Sequence, residues 1–85
     1  MKLKFTPQFL EQLDYLKKSE EKTAERVIIL IEAIEENPFE GIGKPEKLKY
    51  RENTYSRRIT SKHRLVYYVE GDEITFLQCR YHYGK

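Results

Sequence analysis

The chain has 85 residues, of which 39% are hydrophobic and 35% charged, and its net charge at pH 7 is +2. This length suits one domain with a core of one sheet and a few helices, and we expect that domain to span residues 1–85. The longest strictly aliphatic run, Val27 to Ile31, is too short to cross a bilayer, and the N-terminus has no signal-peptide core. A single cysteine, Cys79, cannot form an internal disulfide. We therefore expect a soluble, cytoplasmic protein with no membrane partner.

The charges are distributed unevenly along the chain. Residues 1–40 carry six Lys/Arg and nine Asp/Glu, a net charge of −3, whereas residues 41–85 carry ten and five, a net charge of +5; the two halves sum to +2. A basic half is typical of a protein that binds a polyanion such as RNA. A solvated sheet surface produces the same asymmetry, and charge alone favours that interpretation.

The N-terminal half predicts a short edge strand followed by two helices. The strand covers Lys2 to Phe5, and Thr6-Pro7 then supplies an N-cap and a proline at the first helical position. Ser19 is the expected cap of the second helix, which Asn37-Pro38 ends. The apolar positions at helical spacing that we expect in the core are Phe9, Leu10, Leu13 and Leu16, then Ala24, Val27, Ile28, Ile31 and Ile34.

The C-terminal half predicts a basic loop and three strands. The loop runs from Phe39 to Asn53, and the strands are Tyr55–Thr60, Arg64–Glu70 and Glu73–Tyr83. The element order is then (β)ααβββ. Such an order indicates an α+β fold in which two helices cover one face of a twisted antiparallel sheet.

Side-chain alternation divides the predicted strands into two faces. The residues assigned to the apolar face are Ile59, Leu65, Tyr67, Val69, Leu77, Cys79 and Tyr81. The opposite face would hold Arg58, Arg64, Arg80 and His82. This assignment requires an odd number of residues in the 60–64 connection and a β-bulge at Phe76-Leu77.

The candidate chemistry is limited by what the sequence lacks. Two histidines and one cysteine show no metal-ligand spacing, so we expect neither a metal nor a cofactor. The stretch Gly41–Lys44 resembles part of a phosphate-binding loop, but Pro45 stands where that loop requires Ser or Thr. We therefore exclude a nucleotide-binding loop.

What remains is an acid among lysines, in the segment 44–49, together with a basic face that carries one histidine. Each part alone is usually surface charge balance or a structural histidine. Together they are the groups needed to cleave RNA without a metal, because the 2′-hydroxyl is an internal nucleophile. A base removes its proton, cations stabilise the phosphorane, and an acid protonates the departing 5′-oxygen.

Four segments carry a resemblance to a known family: residues 38–49 (PFEGIGKPEKLK), 56–60 (SRRIT), 63–67 (HRLVY) and 79–83 (CRYHY). In this order and spacing they closely resemble the YoeB (Txe) toxins, which belong to the RelE-like family of bacterial toxins that cleave messenger RNA. The N-terminal helices fit more loosely. Two positions depart from the family pattern: Tyr55 replaces a common tryptophan, and Gly84-Lys85 extends the chain.

The resemblance implies a role for each matching residue. Glu46 matches the general base, His82 the general acid, and Arg64 the arginine that stabilises the scissile phosphate. Tyr83 matches the terminal tyrosine that helps to place the nucleotide. The cations expected to contact RNA are Lys44, Lys47, Lys49, Arg58 and Arg80.

The resemblance also implies the function and the partners. Such toxins cleave messenger RNA in the ribosomal A site, leaving a 2′,3′-cyclic phosphate and a 5′-hydroxyl, and a cognate antitoxin of the YefM (Axe) type inhibits them. We expect the same activity here, and a homodimer is plausible. Two alternatives remain: a non-catalytic RNA- or ribosome-binding module that uses the same basic face, and a small interaction domain whose charges are only solvated.

Overall fold

Two helices and a sheet make up residues 1–81, the part of the chain that the computed structural model describes. The helices are α1 (Pro7–Ser19) and α2 (Glu21–Glu36). The strands are β1 (Lys2–Phe5), β2 (Glu46–Lys47), β3 (Thr54–Arg58), β4 (Arg64–Glu70) and β5 (Glu73–Gln78). The predicted α+β fold is confirmed: both helices pack on the sheet.

The described strands pair in the order β1-β5-β4-β3-β2. Neighbours run antiparallel except at one edge, where β1 pairs in parallel with β5. The sheet is therefore mixed, whereas the sequence predicts antiparallel pairing throughout. Side-chain alternation is the same in parallel and antiparallel strands, so it does not indicate the direction in which an edge strand pairs. A further difference is β2, a two-residue strand within the segment predicted as loop.

The predicted start of α1 is confirmed. The Thr6 hydroxyl accepts a hydrogen bond from the Phe9 backbone N–H at 3.1 Å, and Pro7 occupies the first helical position. Phe9, Leu13 and Leu16 are buried in the core, whereas Leu10 is half exposed. The last residue of α1 is Ser19, so this serine does not cap α2 as predicted; Glu20 joins the two helices.

The buried face of α2 differs from the predicted face in the residues near its centre. Ala24, Val27 and Ile34 are buried as expected, but the fourth buried residue is Leu30, and Ile28 is exposed. An unbroken aliphatic run from Val27 to Ile31 leaves the phase of the apolar stripe undetermined at this point. Within residues 1–81 no helix is long and apolar enough to cross a membrane.

The register of β3, β4 and β5 confirms the two features that the predicted division into faces requires, namely a connection with an odd number of residues and a β-bulge. Arg58 pairs with Arg64 across a connection of five residues, 59–63, which is an odd number. On the other side of β4, Val66 pairs with Gln78 and Tyr67 pairs with Phe76, so one residue of β5 bulges out. The bulged residue is Leu77. The core position is therefore taken by Phe76, and Leu77 is only partly buried.

The last strand is shorter than predicted. β5 ends at Gln78, and the chain then leaves the sheet. Cys79 still lies in the core, but Tyr81 is 55% exposed and has a φ of +68°, so the predicted alternation does not continue beyond the strand. The predicted placement of Tyr81 on the apolar face is wrong for this reason.

Arg57 is a fully buried cation on the helix side of β3, where it pairs with the core residue Leu65. Its Nη2 donates to the carbonyl oxygens of Asn37 and Glu40, at 2.6 and 3.1 Å. Its Nη1 donates to the carbonyl oxygen of Ile42 at 3.1 Å. The guanidinium thus replaces water as the partner of the backbone that follows α2.

Tyr67 completes this network. Its hydroxyl accepts a hydrogen bond from Arg57 Nε at 3.1 Å and donates one to the carbonyl oxygen of Pro38 at 2.7 Å. Burial raises the pKa of the Tyr67 phenol, and the bond from Arg57 opposes this rise only in part. Gly41 packs so closely that a Cβ there would lie 3.0 Å from Arg57 Nη1. The loop that follows α2 therefore packs around the Arg57 side chain.

We predict that Arg57→Met lowers the free energy of unfolding by about 3–5 kcal/mol, because the bonds from the charged guanidinium to three loop carbonyls and to Tyr67 are lost, at roughly 1–3 kcal/mol each. Urea denaturation measures this loss. The matched control is Arg58→Met, at the exposed neighbouring position, which should change stability by less than about 0.5 kcal/mol. A similarly small loss in both variants would contradict a structural role for the buried guanidinium.

Candidate functional site

The candidate site lies on the sheet face opposite the helices, which we call the open face. Directly opposed residues of antiparallel strands share a face. Glu46 of β2 opposes Ser56 of β3, and Arg58 of β3 opposes Arg64 of β4. Leu65, next to Arg64, is buried under the helices, so alternation places these four residues on the open face.

Glu46 and Arg64 form an ion pair on this face. Arg64 Nη2 donates to Glu46 Oε1 at 3.0 Å. The Glu46 side chain is 65% exposed, whereas the Arg64 side chain is 14% exposed. The arrangement presents an accessible carboxylate beside an arginine side chain that is largely buried. Arg64 Nε is buried and has no hydrogen-bond partner among the described residues.

The lysines around Glu46 are all exposed, but they do not share one face. Lys47 follows Glu46 in β2 and opposes Tyr55, which packs against the core, so its side chain points away from the open face. Lys44 precedes the strand and has a φ of +52°. The residue before it, Gly43, is bound to β3 by a 2.7 Å hydrogen bond from the Arg58 N–H to the Gly43 carbonyl oxygen. Lys49 lies in the turn after β2.

Arg80 lies elsewhere than the sequence predicts. Because β5 has already ended, its guanidinium does not continue the row of Arg58 and Arg64; it stacks over the ring of Tyr15 in α1, with Cζ 3.6 Å from the ring centre. The Tyr81 ring centre is 4.7 Å from the same Cζ. Such stacking orients a planar guanidinium while leaving its charge in place.

The residues 79–81 form a turn that side chains of other elements hold, and we call this segment the C-terminal turn. The amides of Cys79 and Arg80 both donate to Gln12 Oε1 of α1, at 2.8 and 3.2 Å. The Tyr81 amide donates to His63 Nδ1 at 2.8 Å. Neither Gln12 nor His63 is predicted as a functional residue, because no local pattern indicates a bond across the fold.

Two of the predicted catalytic residues, His82 and Tyr83, lie outside the described residues. Their predicted roles therefore stay predictions. What the structure describes is the turn that immediately precedes them, together with the Glu46–Arg64 pair on the open face.

Other chemistries find little support in residues 1–81. In that range no group of three His, Cys, Asp or Glu side chains is placed to hold a metal ion. Cys79 is a poor nucleophile, because burial raises the pKa of its thiol to about 12 and the nearby Arg80 only partly offsets this. Ser56 has a buried hydroxyl without a hydrogen-bond partner in the described region, but it faces Glu46 rather than an imidazole.

Comparison with known proteins places this chain in a family. The model of the YoeB-like toxins of bacterial type II toxin-antitoxin systems matches residues 5–83. A YoeB toxin from Synechocystis sp. is 44% identical over 88 residues, which cover 100% of both chains.

Solved structures agree with this match. A YoeB dimer from Staphylococcus aureus superimposes with a TM-score of 0.89 at 41% identity, covering 98% of each chain. YoeB in a heterotetrameric complex with YefM from the same organism gives a TM-score of 0.85 at 41% identity, again covering 98% of each chain. The resemblance seen in the sequence is confirmed, and the chain belongs to the YoeB-like toxins of bacterial type II toxin-antitoxin systems.

Proposed function

We propose that this toxin is an endoribonuclease that cleaves messenger RNA in the ribosomal A site and so stops translation. The observation that carries the proposal is the contact between Glu46 Oε1 and Arg64 Nη2 on the open face. A protein that only binds RNA gains nothing from an exposed carboxylate beside its arginines. An enzyme that uses the 2′-hydroxyl as its nucleophile needs such a base next to the cation that binds the phosphate.

The proposed reaction transfers the phosphoryl group within the RNA. Glu46 takes the proton of the 2′-hydroxyl while the 2′-oxygen attacks the adjacent phosphorus. The bond from phosphorus to the 5′-oxygen breaks, and His82 donates a proton to that oxygen. The products are a 2′,3′-cyclic phosphate and a 5′-hydroxyl, and no metal or cofactor takes part.

Arg64 is suited to stabilise the charge that develops on the phosphate. Among the described residues, its guanidinium gives one hydrogen bond, to Glu46, and retains further N–H donors. A bound phosphate would take such donors and compete with Glu46 for Nη2, because arginine binds two phosphate oxygens through its planar fork. Substrate binding would thereby free the carboxylate to act as a base.

The remaining predicted cations are proposed to hold the RNA backbone. Arg58 is exposed and directly opposes Arg64, so it extends the positive surface beside the scissile phosphate. Lys44 and Lys49 flank Glu46 along the chain, whereas Lys47 lies on the other side of β2 and Arg80 lies against α1, so the last two would contact RNA that extends beyond the open face. Contacts of this kind are electrostatic and independent of base sequence.

A cognate antitoxin of the YefM type is the proposed protein partner. The YoeB of Staphylococcus aureus is found both in a complex with YefM and as a dimer. An acidic segment laid across the open face would neutralise Arg58 and Arg64 through charge-assisted hydrogen bonds. We propose the same partner and a homodimer for this chain, which would act in the cytoplasm, where ribosomes translate.

We predict that Glu46→Gln and His82→Ala each slow single-turnover cleavage of ribosome-bound messenger RNA by about 10²–10⁴-fold, the usual contribution of a general base or acid. Arg64→Lys should also be slow, because an ammonium lacks the planar fork. Replacing the 5′-oxygen of the scissile bond by sulfur supplies a leaving group that needs little protonation. This substrate should restore cleavage by His82→Ala but not by Glu46→Gln.

Comparing the oxygen substrate with its sulfur analogue also shows which results would contradict the assignment of Glu46 as base and His82 as acid. Rescue of Glu46→Gln rather than His82→Ala would exchange the two roles, and equal slowness of both variants on the sulfur substrate would remove the acid assignment. A non-catalytic RNA binder would behave differently: the wild type would cleave nothing, and Glu46→Ala would bind RNA more tightly because it loses a negative charge from a basic surface.

We predict that co-expression with the antitoxin encoded beside this toxin restores growth and that the two chains purify together. Arg58→Glu, which reverses a charge on the open face, should weaken that complex, and the loss should shrink as salt is raised. Titration calorimetry at two salt concentrations measures both effects. The matched control is Lys22→Glu on α2. An equal loss in both variants would contradict docking on the open face.

A further inference from the structure

His63 is a buried histidine with one directed bond. Its side chain is 5% exposed, and Nδ1 accepts a hydrogen bond from the Tyr81 amide at 2.8 Å. An imidazole nitrogen accepts only when it carries no proton, so the proton of the neutral ring lies on Nε2. Nε2 faces Glu20 Oε2 at 3.7 Å, and the carboxylate favours this tautomer without forming a hydrogen bond.

The backbone around His63 fixes the direction of the ring. The His63 carbonyl accepts from the amides of Ile59 and Thr60, at 3.0 and 3.2 Å. The His63 amide donates to the Thr60 hydroxyl at 3.2 Å. The imidazole therefore projects from a closed turn at the start of β4 and has little freedom to move away from Tyr81.

Tyr81 needs such support because its backbone is strained. Its φ of +68° lies in the left-handed region, which disfavours residues with a Cβ and persists only where surrounding contacts determine it. The peptide groups of Tyr81 are held at both ends: the amide binds His63 Nδ1, and the carbonyl oxygen accepts from the Arg64 amide at 3.1 Å.

These bonds tie the C-terminal turn to the residue that carries the phosphate-binding guanidinium. His63 and Arg64 are adjacent in the chain, and both hold Tyr81, which immediately precedes His82. We propose that His63 is a positioning residue for RNA cleavage, acting through the Tyr81 backbone to place the general acid relative to Arg64. This inference rests on the proposed function, in which His82 donates the proton.

Two substitutions of His63 distinguish its hydrogen bond to the Tyr81 amide from a role in core packing alone. His63→Phe keeps a planar ring and removes the acceptor. His63→Asn keeps an acceptor, because asparagine Oδ1 is bonded to Cγ as Nδ1 is in histidine. If His63→Phe does not fold, His63→Leu removes the acceptor with a smaller side chain.

The first measurement is amide hydrogen exchange of Tyr81 in the free toxin, which needs no activity. Loss of the acceptor should speed this exchange by about tenfold or more in His63→Phe, while His63→Asn should remain close to the wild type. Unchanged exchange in His63→Phe would overturn the inference, whatever the protein does to RNA.

The second measurement is single-turnover cleavage of the oxygen and sulfur substrates on the ribosome. His63→Phe should lower the cleavage rate of the oxygen substrate by up to about 10²-fold, which is the effect of a small displacement of a catalytic group. His63→Asn should restore the rate, and KM should change little in either variant. The sulfur substrate should remove most of the defect, because it no longer needs the acid that His63 positions.

The outcomes distinguish the inference from the function on which it rests. If the wild type cleaves neither substrate, the proposed function fails. If the wild type cleaves but His63→Phe is equally fast, or equally slow on both substrates, the proposed function stands and the positioning role is wrong. A defect that follows the melting temperature of the variants and is not restored by His63→Asn would likewise assign His63 to the core alone.

Discussion

The hydrogen bonds of the buried Arg57 guanidinium are the constraint on which the candidate site depends. They bind the carbonyls of the loop that follows α2, and that loop leads directly into β2 and Glu46. Without a buried donor, this backbone would require water or a different path. A short strand of two residues, Glu46–Lys47, has too few bonds of its own to hold the Glu46 carboxylate at the sheet edge.

A second set of directed bonds organises the other end of the open face. The chain leaves the sheet after Gln78, and Gln12, His63 and Arg64 then bind the backbone of the C-terminal turn. The backbone next to both ends of the open face is thus held by polar side chains from elsewhere in the fold, while β3 and β4 form the sheet between them.

The sequence predicts the elements well because strong local signals mark them, such as the Thr6-Pro7 start of α1 and the Asn37-Pro38 end of α2. It fails where information is not local. Alternation cannot show that β5 ends at Gln78, so Arg80 is assigned to the wrong face. Nor does a local pattern indicate that Arg57 is buried, since only the tertiary fold supplies the carbonyls that make burial of this charge tolerable.

The claim that the open face cleaves translated messenger RNA is tested most directly by mapping the 5′ ends of all transcripts minutes after expression of the wild type or of Glu46→Gln. We expect the wild type to generate new 5′-hydroxyl ends inside translated reading frames, and the variant to generate few, since it lacks the carboxylate paired with Arg64. Unchanged 5′ ends in the wild type, or the same new ends in both proteins, would contradict the claim.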